Sequence, residues 1–159
     1  MKICFVCQGN IIRSPLAENM FRHLAEEAGL SGKYQLESAG TSAYHVGQAP
    51  DKRMRQAAAE HGFHYTGRAR QFWREDLDKY DLILVMDQNN RRILESMVQN
   101  SPQKNKIHML REFDAQGSGD LDVPDPYYGG VEGFEATFQI VTRSCEGLLE
   151  ALESGRFTP

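Results

Sequence analysis

The sequence predicts a single α/β domain, residues 1–159, built as a doubly wound four-stranded parallel sheet flanked by helices. Two observations predict this class. Short, largely apolar segments recur four times along the chain, and a segment with helical periodicity follows each of them. Such alternation with short connections is typical of parallel sheets, whose strands are buried on both faces. The length suits one domain with a substantial core.

The first predicted strand, residues 3–6, leads directly into a loop and then a helix. Ser14 and Pro15 form a helix-opening pair, because a hydroxyl suits the N-cap and the proline ring suits the first helical position. Apolar residues then recur on one helical face as far as Ala28, and Gly29 gives a stop signal. The segment is therefore predicted to be strand, tight loop and helix.

This loop predicts a binding site for a phosphate-like dianion. Its N–H groups and the positive end of the helix dipole point at one spot, and we expect Gly9 to supply the unusual backbone angles of such a cradle. A thiol, Cys7, and a guanidinium, Arg13, stand at the two ends of the loop. The surroundings favour the thiolate, and the planar guanidinium can grip two oxygens at once. A nucleophile would thus face a bound phosphoryl group.

The alternation continues in the first half of the chain. Residues 34–39 alternate enough to form a second strand, and residues 40–47 form a loop rich in turn formers at its carboxyl end. Open α/β sheets place their functional sites at such ends. Pro50 and Asp51 open a second helix, which stops at Gly62.

A basic stretch, residues 68–74, surrounds Phe72 and Trp73 and is interpreted as a solvated loop leading to a short helix. Five consecutive apolar residues, 82–86, then form the strongest strand, which should lie centrally in the sheet. Asp87 follows at the functional edge, and we assign it only a supporting, structural role.

The last part of the chain begins with a helix from Gln88 and a short edge strand, residues 107–110. A polar loop, residues 114–122, follows with few apolar residues to anchor it. The last helix is predicted from an apolar stripe spaced by four and three residues: Phe134, Phe138, Val141, Cys145, Leu148 and Leu152. Cys145 and Cys4 are interpreted as core thiols.

The composition excludes several classes of protein. With 40% apolar and 25% charged residues the chain is ordinary globular material. The net charge of −4 argues against nucleic-acid or anionic-membrane partners. No signal peptide or spanning segment is visible. Three cysteines, an odd number, and five scattered histidines predict a reducing, cytoplasmic setting with no metal and no cofactor.

The series Cys7-x5-Arg13-Ser14-Pro15 after a strand resembles the low-molecular-weight protein tyrosine phosphatases, whose usual form is V-C-x-G-N-I-C-R-S-P. The resemblance covers essentially the whole chain. It implies a Rossmann-like phosphatase fold with strand order 2-1-3-4. It also implies hydrolysis of phosphotyrosine in proteins, for which a tyrosine kinase is a candidate partner, through a phosphocysteine on Cys7. The product would be inorganic phosphate.

This chemistry requires a general acid, because the departing phenolate is a poor leaving group. Asp125 is the best candidate. Pro124 and Pro126 restrict the backbone on either side of it, and Tyr127 and Tyr128 add flat apolar surface for an aromatic ring. By the resemblance, Asp125 would protonate the leaving tyrosine and then activate water against the phosphocysteine.

The resemblance also implies supporting roles. Asn10 and Ser38 would hydrogen-bond to keep the loop in its strained shape. Ser14, besides capping the helix, would donate to the Cys7 sulfur. The phosphate-binding loop would comprise Gln8, Gly9, Asn10, Ile11, Ile12 and Ser14. The substrate slot would be lined by Tyr44, Tyr127 and Tyr128.

One position departs from the family pattern. The family commonly has a second cysteine where this chain has Ile12, and that cysteine traps the oxidised nucleophile in a reversible disulfide. Cys4 is no obvious substitute, because residues three apart on a strand point to opposite faces. We therefore expect peroxide to carry Cys7 to sulfenic acid and then irreversibly onward.

Three alternative functions share parts of this pattern. Thiol-dependent arsenate reductases use the same fold and C-x5-R loop but need two further cysteines, and residues 86–101 contain none. In protein-arginine phosphatases of the same family a threonine stands at the position of Ile11, whereas a bulky aliphatic side chain favours phosphotyrosine. An inactive phosphate-binding module would require loss of the nucleophile, arginine or acid, and all three are present.

Overall fold

The computed structural model describes all residues from Met1 to Pro159 and follows the predicted alternation of strands and helices. The strands are β1 (Lys2–Cys7), β2 (Gln35–Gly40), β3 (Leu82–Val85) and β4 (Ile107–Met109). The helices are α1 (Arg13–Glu27), α2 (Lys52–Ala59), α3 (Asp76–Lys79), α4 (Gln88–Glu95), α5 (Ser101–Lys104) and α6 (Val131–Glu153), with a 3₁₀ helix at Leu110–Phe113. None of the helices has the combination of length and hydropathy that a bilayer-spanning segment requires.

The four strands form one parallel sheet in the order β2-β1-β3-β4, which confirms the predicted fold class and strand order. β1 lies between β2 and β3, so that Val6 is in register with Ala39 on one side and Val85 on the other. Every residue of β3 is buried, as expected for an inner strand. The strand order reverses between β1 and β3. Ligands of doubly wound sheets bind at such a point, outside the carboxyl ends of the strands.

The two faces of the sheet carry separate cores. The larger core lies between the sheet and α1, α2 and α6, and the smaller one lies against α3 and α4. Along β1, Phe5 and Cys7 belong to the larger core, whereas Cys4 and Val6 belong to the smaller one. Cys4 and Cys7 therefore lie on opposite faces, as predicted. The apolar stripe of α6 is buried in the larger core, including Cys145.

The start of α1 differs from the prediction. The helix begins at Arg13, its N-cap is Ile12, and no side chain caps it. Ser14 was predicted as the cap, but it already lies in the first helical turn, so its hydroxyl cannot reach the free N–H groups. Asp51, in contrast, caps α2 by accepting hydrogen bonds from the backbone N–H groups of Arg53 at 2.8 Å and Met54 at 3.3 Å.

The basic stretch, residues 68–74, is a loop that leads to α3, and Trp73 is 57% exposed. The interpretation as a solvated loop holds for Trp73 and is wrong for two of its neighbours. Phe72 is buried in the smaller core, and Arg70 forms an ion pair with Asp76 at 3.0 Å. The Arg70 carbonyl and the Phe72 N–H both bond the backbone of Gly40, so the stretch supports the end of β2.

The polar loop after β4 is anchored by charge as well as by Leu121, which packs against the smaller core. Asp114 is buried and accepts hydrogen bonds from Arg143 Nε at 2.9 Å and Nη2 at 3.0 Å. The hydrogen bond from Arg143 is the main cause that lowers the pKa of the Asp114 carboxyl below its ordinary value. The loop is therefore held to α6 before it continues toward residue 125.

A glycine in α6 permits close packing against the 3₁₀ helix. A Cβ atom at Gly147 would overlap the backbone carbonyl of Phe113, which cannot move without disturbing the helix. Gly147→Ala is expected to lower the free energy of unfolding by about 1–3 kcal/mol, the usual cost of overpacking. The measurement is urea denaturation.

The control is Gly133→Ala in the same helix, where the nearest atom, Pro126 Cβ, lies at an ordinary 3.5 Å. That substitution should be neutral or stabilising by up to about 1 kcal/mol, because alanine favours the helix. Equal stabilities of the two variants would contradict the packing argument.

Candidate active site

Residues 8–12 connect β1 to α1 and enclose a cavity of about 350 Å³ at the carboxyl edge of the sheet. Cys7 ends β1 and Arg13 begins α1, and each is only 2% exposed. The structure thus brings the predicted nucleophile, cation, acid and aromatic slot to one place. The cavity is lined by Cys7, Gln8, Gly9, Ile11, Ile12, Arg13, Ser42, Tyr44, His45, Asp125, Tyr127 and Tyr128.

The unusual backbone angle of this loop lies at Asn10, where φ is 56°, and not at Gly9 as predicted. Asparagine tolerates the left-handed region better than most residues because its short amide can hydrogen-bond locally. Gly9 is needed for space instead. A Cβ atom there would lie 2.9 Å from Cδ2 of His45, so a side chain would displace the wall of the cavity.

The Asn10 side chain holds the loop in this shape. Its Nδ2 donates to Ser14 Oγ at 2.8 Å and to Ser38 Oγ at 3.0 Å, so the expected contact with Ser38 is present. Its Oδ1 accepts from the Arg70 backbone N–H at 2.9 Å. Ser38 in turn donates to Glu18 Oε1 at 2.8 Å. Sequence reasoning missed Arg70 and Glu18, which lie in ordinary loop and helix positions.

The Ser14 hydroxyl lies 3.0 Å from the sulfur of Cys7. Ser14 Oγ accepts a hydrogen bond from Asn10, and its own proton has two acceptors within reach, the sulfur at 3.0 Å and the Ala39 carbonyl at 3.5 Å. Such a donor favours a sulfur anion over a neutral thiol. The predicted contact is therefore present, while the predicted capping role of Ser14 is not.

The guanidinium of Arg13 is fixed from below by two acceptors. Its Nη1 donates to Asp87 Oδ2 at 2.7 Å and to the Val123 carbonyl at 2.9 Å, whereas Nη2 meets Asp125 Oδ2 at 3.5 Å. Asp87 also caps α4 through the Asn90 N–H at 2.7 Å, so it supports the site as expected.

The charge of Arg13 is maintained although the residue is buried. Burial alone would lower the pKa of the guanidinium, but the negative charges of Cys7, Asp87 and Asp125 outweigh it and raise that pKa above its ordinary value. Arg13 therefore stays a cation at the floor of the cavity. With the loop N–H groups it forms a site for an oxyanion.

Asp125 lies on the opposite side of the cavity, on a stiff loop. Its Oδ1 accepts from the Tyr127 N–H at 3.1 Å, and its side chain is 39% exposed. Thr137 of α6 donates to the Pro124 carbonyl at 3.3 Å, and the Pro126 carbonyl closes a turn. Two prolines and these hydrogen bonds together restrict the position of the carboxyl at the cavity.

Aromatic side chains form the mouth of the cavity. Tyr44 is 83% exposed and Tyr128 is 97% exposed, an unusual exposure for large apolar rings. His45 lies between Tyr44 and Tyr127, with ring centroids 4.9 Å and 6.2 Å away. Sequence reasoning missed His45, because a single histidine in a turn-rich loop has no pattern of its own.

The other cysteines lie apart from this chemistry. Ile12 is 4% exposed and occupies the position at which the family pattern has a cysteine. Burial raises the pKa of the Cys4 and Cys145 thiols above the ordinary range, so both remain protonated in the core. Cys145 Sγ donates to the Ala17 carbonyl at 3.6 Å. Both were interpreted as core thiols, and their burial agrees.

The sequence is similar to known proteins over almost its full length. The family model for low molecular weight phosphotyrosine protein phosphatase matches residues 2–156. The low molecular weight protein-tyrosine-phosphatase YfkJ of Bacillus subtilis is 41% identical over 96% of each chain. The low molecular weight phosphotyrosine protein phosphatase of Homo sapiens is 40% identical over 93% of each chain.

The fold is similar to solved structures. A protein tyrosine phosphatase from Entamoeba histolytica, with Hepes in its active site, superposes with a TM-score of 0.93 at 37% identity over 99% of each chain. The Drosophila arginine phosphatase DARP superposes with a TM-score of 0.87 at 32% identity, covering 96% of this chain and 98% of that one. On the extent of these matches, the chain belongs to the low molecular weight phosphotyrosine protein phosphatase family.

Proposed function

We propose that this chain is a cysteine-dependent protein-tyrosine phosphatase that hydrolyses phosphotyrosine through a phosphocysteine on Cys7. The observation that carries the proposal is the shared cavity of a buried thiol, a buried guanidinium and a carboxyl. Ser14 lies 3.0 Å from the Cys7 sulfur, and Arg13 Nη2 lies 3.5 Å from Asp125. Family membership supports the same reaction.

In the first step the phosphoryl group binds in the loop, where N–H groups and Arg13 neutralise its oxygens. The Cys7 thiolate attacks phosphorus, a sulfur–phosphorus bond forms, and the bond to the tyrosine oxygen breaks. Asp125, in its protonated form, gives its proton to the departing oxygen. The phenol leaves neutral, which lowers the barrier.

In the second step water attacks the phosphocysteine. Asp125 is now a carboxylate and takes a proton from the attacking water. The sulfur departs as a thiolate, and the Ser14 hydroxyl at 3.0 Å stabilises it by donating a hydrogen bond. Inorganic phosphate is released and no cofactor is required.

The slot above the loop supports an aromatic substrate. Tyr44, Tyr127 and Tyr128 offer flat surfaces at its mouth, and such surfaces pack well against a phenol ring. The substrates would be phosphotyrosine proteins, a tyrosine kinase among the candidates. Three free cysteines suit a reducing compartment, so we place the reaction in the cytoplasm. The whole chain, residues 1–159, would act as one catalytic domain.

The first prediction concerns the covalent intermediate. Rapid-quench mass spectrometry of the wild type with p-nitrophenyl phosphate should find one phosphoryl group on the peptide that contains Cys7. Cys7→Ser should form no such thiol adduct and lose turnover by a factor on the order of 10⁴ or more, as expected for loss of a nucleophile. Cys145→Ala is the control and should keep turnover. An adduct elsewhere, or activity in Cys7→Ser, would refute the proposal.

The second prediction concerns the general acid. Asp125→Asn should reduce turnover of esters with poor phenolic leaving groups by a factor on the order of 10²–10⁴, and less for activated esters. The matched control is Asp120→Asn, an exposed acid of the preceding loop, which should show no such dependence. An equal loss for all leaving groups would remove Asp125 from this role.

A second candidate function is protein-arginine phosphatase, which the similarity to DARP favours. Ile11 lines the cavity and is 7% exposed, so its bulk bears on the bound substrate. We expect phosphotyrosine peptides to be hydrolysed in preference to phosphoarginine peptides. Ile11→Thr should shift the ratio of the two kcat/KM values toward phosphoarginine by roughly 10-fold or more. A wild type that prefers phosphoarginine would reverse the assignment.

A further inference from the structure

The guanidinium of Arg53 connects the two sides of the cavity. Arg53 lies near the start of α2, where its Nε and Nη2 donate to the two oxygens of Asp51 at 3.3 Å and 3.0 Å. Its Nη1 donates to the Tyr127 carbonyl at 2.9 Å, 74 residues further along the chain. One planar side chain therefore bonds both α2 and the loop that carries Asp125.

Two aromatic rings hold the guanidinium in place. The Arg53 Cζ atom lies 4.7 Å from the centre of the Phe134 ring and 5.3 Å from that of Tyr127. Both distances are within the range of cation–π contact. A lysine could keep the charge here, but its ammonium lacks the flat fork that bonds a carboxylate on one edge and a carbonyl on the other.

These contacts belong to a continuous frame that starts in the phosphate-binding loop. The Asp51 N–H donates to the Ile11 carbonyl at 2.7 Å, so α2 is tied to the loop. Arg53 bonds the Asp51 carboxylate and the Tyr127 carbonyl. The Tyr127 N–H then donates to Asp125 Oδ1 at 3.1 Å. A continuous series of hydrogen-bonded residues thus connects the phosphate-binding loop with the carboxyl of Asp125.

We propose that Arg53 is a positioning residue that holds Asp125 over the leaving-group oxygen. This inference rests on the proposed function and adds a residue to it. Thr137 holds the loop that carries Asp125 only on its N-terminal side, at the Pro124 carbonyl. On its C-terminal side the loop continues into Gly129 and Gly130. Arg53 fixes that second side through the Tyr127 carbonyl.

A competing partner explains why a second anchor is needed. Asp125 Oδ2 already lies 3.5 Å from Arg13 Nη2, and the attraction between opposite charges draws the carboxyl down into the cavity. A carboxyl held there cannot protonate an oxygen at the mouth. The Arg53 frame opposes this movement because Tyr127 holds the other carboxyl oxygen.

The test compares kcat/KM for a series of aryl phosphates, from phenyl phosphate to p-nitrophenyl phosphate. Arg53→Ala should reduce kcat/KM for phenyl phosphate by about 10-fold or more beyond its effect on p-nitrophenyl phosphate, as partial loss of a general acid would. Arg53→Lys keeps the charge and loses the fork, so it should resemble Arg53→Ala. A lysine that restores the wild-type dependence would overturn a positioning role.

Two controls separate positioning from a general structural effect. Arg55→Ala removes an exposed arginine of the same helix that bonds the Pro50 carbonyl, and it should leave the leaving-group dependence unchanged. Inhibition by inorganic phosphate measures how tightly the phosphate-binding loop binds its ligand. Its inhibition constant should be the same in Arg53→Ala and wild type, and a parallel loss of phosphate affinity would overturn the proposal.

The double variant Asp125→Asn/Arg53→Ala completes the test. If Arg53 acts through Asp125, the double variant should show the leaving-group dependence of Asp125→Asn alone. A further steepening would overturn the proposal. If Asp125→Asn steepens the dependence and Arg53→Ala does not, this inference fails while the proposed function stands. If neither steepens it, the acid assignment in the proposed function fails, and the inference fails with it.

Discussion

The left-handed backbone at Asn10 is the constraint on which the site depends. The chain turns sharply there between β1 and α1, and φ of 56° at a non-glycine residue is unfavourable by itself. Three hydrogen bonds of the buried amide, to Ser14, Ser38 and Arg70, compensate for it. The same amide bonds Ser14 Oγ, which lies 3.0 Å from the Cys7 sulfur, so one side chain supports both the loop shape and the surroundings of the sulfur.

The order of the strands explains how residues far apart in sequence meet. β1 lies next to β3, and the Met86 N–H bonds the Val6 carbonyl at 3.2 Å just beyond the paired strands. The Val123 N–H in turn bonds the Met86 carbonyl at 2.7 Å. The chain before Asp125 therefore runs alongside the end of β3, and its carbonyl at Val123 also binds Arg13. The carboxyl ends of the strands thus bring the loop that carries Asp125 next to residues 8–12.

The fold and the reactive groups of the site can be predicted from local sequence patterns, whereas the contacts that hold those groups in place cannot. Runs of apolar residues predict these strands, because a strand that is buried on both faces needs apolar side chains on both. Cys7, Arg13 and Asp125 lie in short sequence motifs that indicate phosphatase chemistry. The assignment of strain to Gly9 was wrong, because crowding by His45 and the amide contacts of Asn10 exist only in three dimensions. Arg53 is one of two arginines on α2, and only its contact with Tyr127 distinguishes it.

The charges in the cavity connect the binding of a phosphoryl group with the position of Asp125. Arg13 supplies one buried positive charge, while Cys7 as thiolate, Asp87 and Asp125 supply three negative ones nearby. A phosphoryl dianion entering this group adds two more, which the loop N–H groups only partly offset. The dianion also competes for Arg13 Nη2, which releases Asp125 from its contact at 3.5 Å. In the proposed mechanism, binding of the phosphoryl group therefore frees the Asp125 carboxyl to move toward the leaving oxygen.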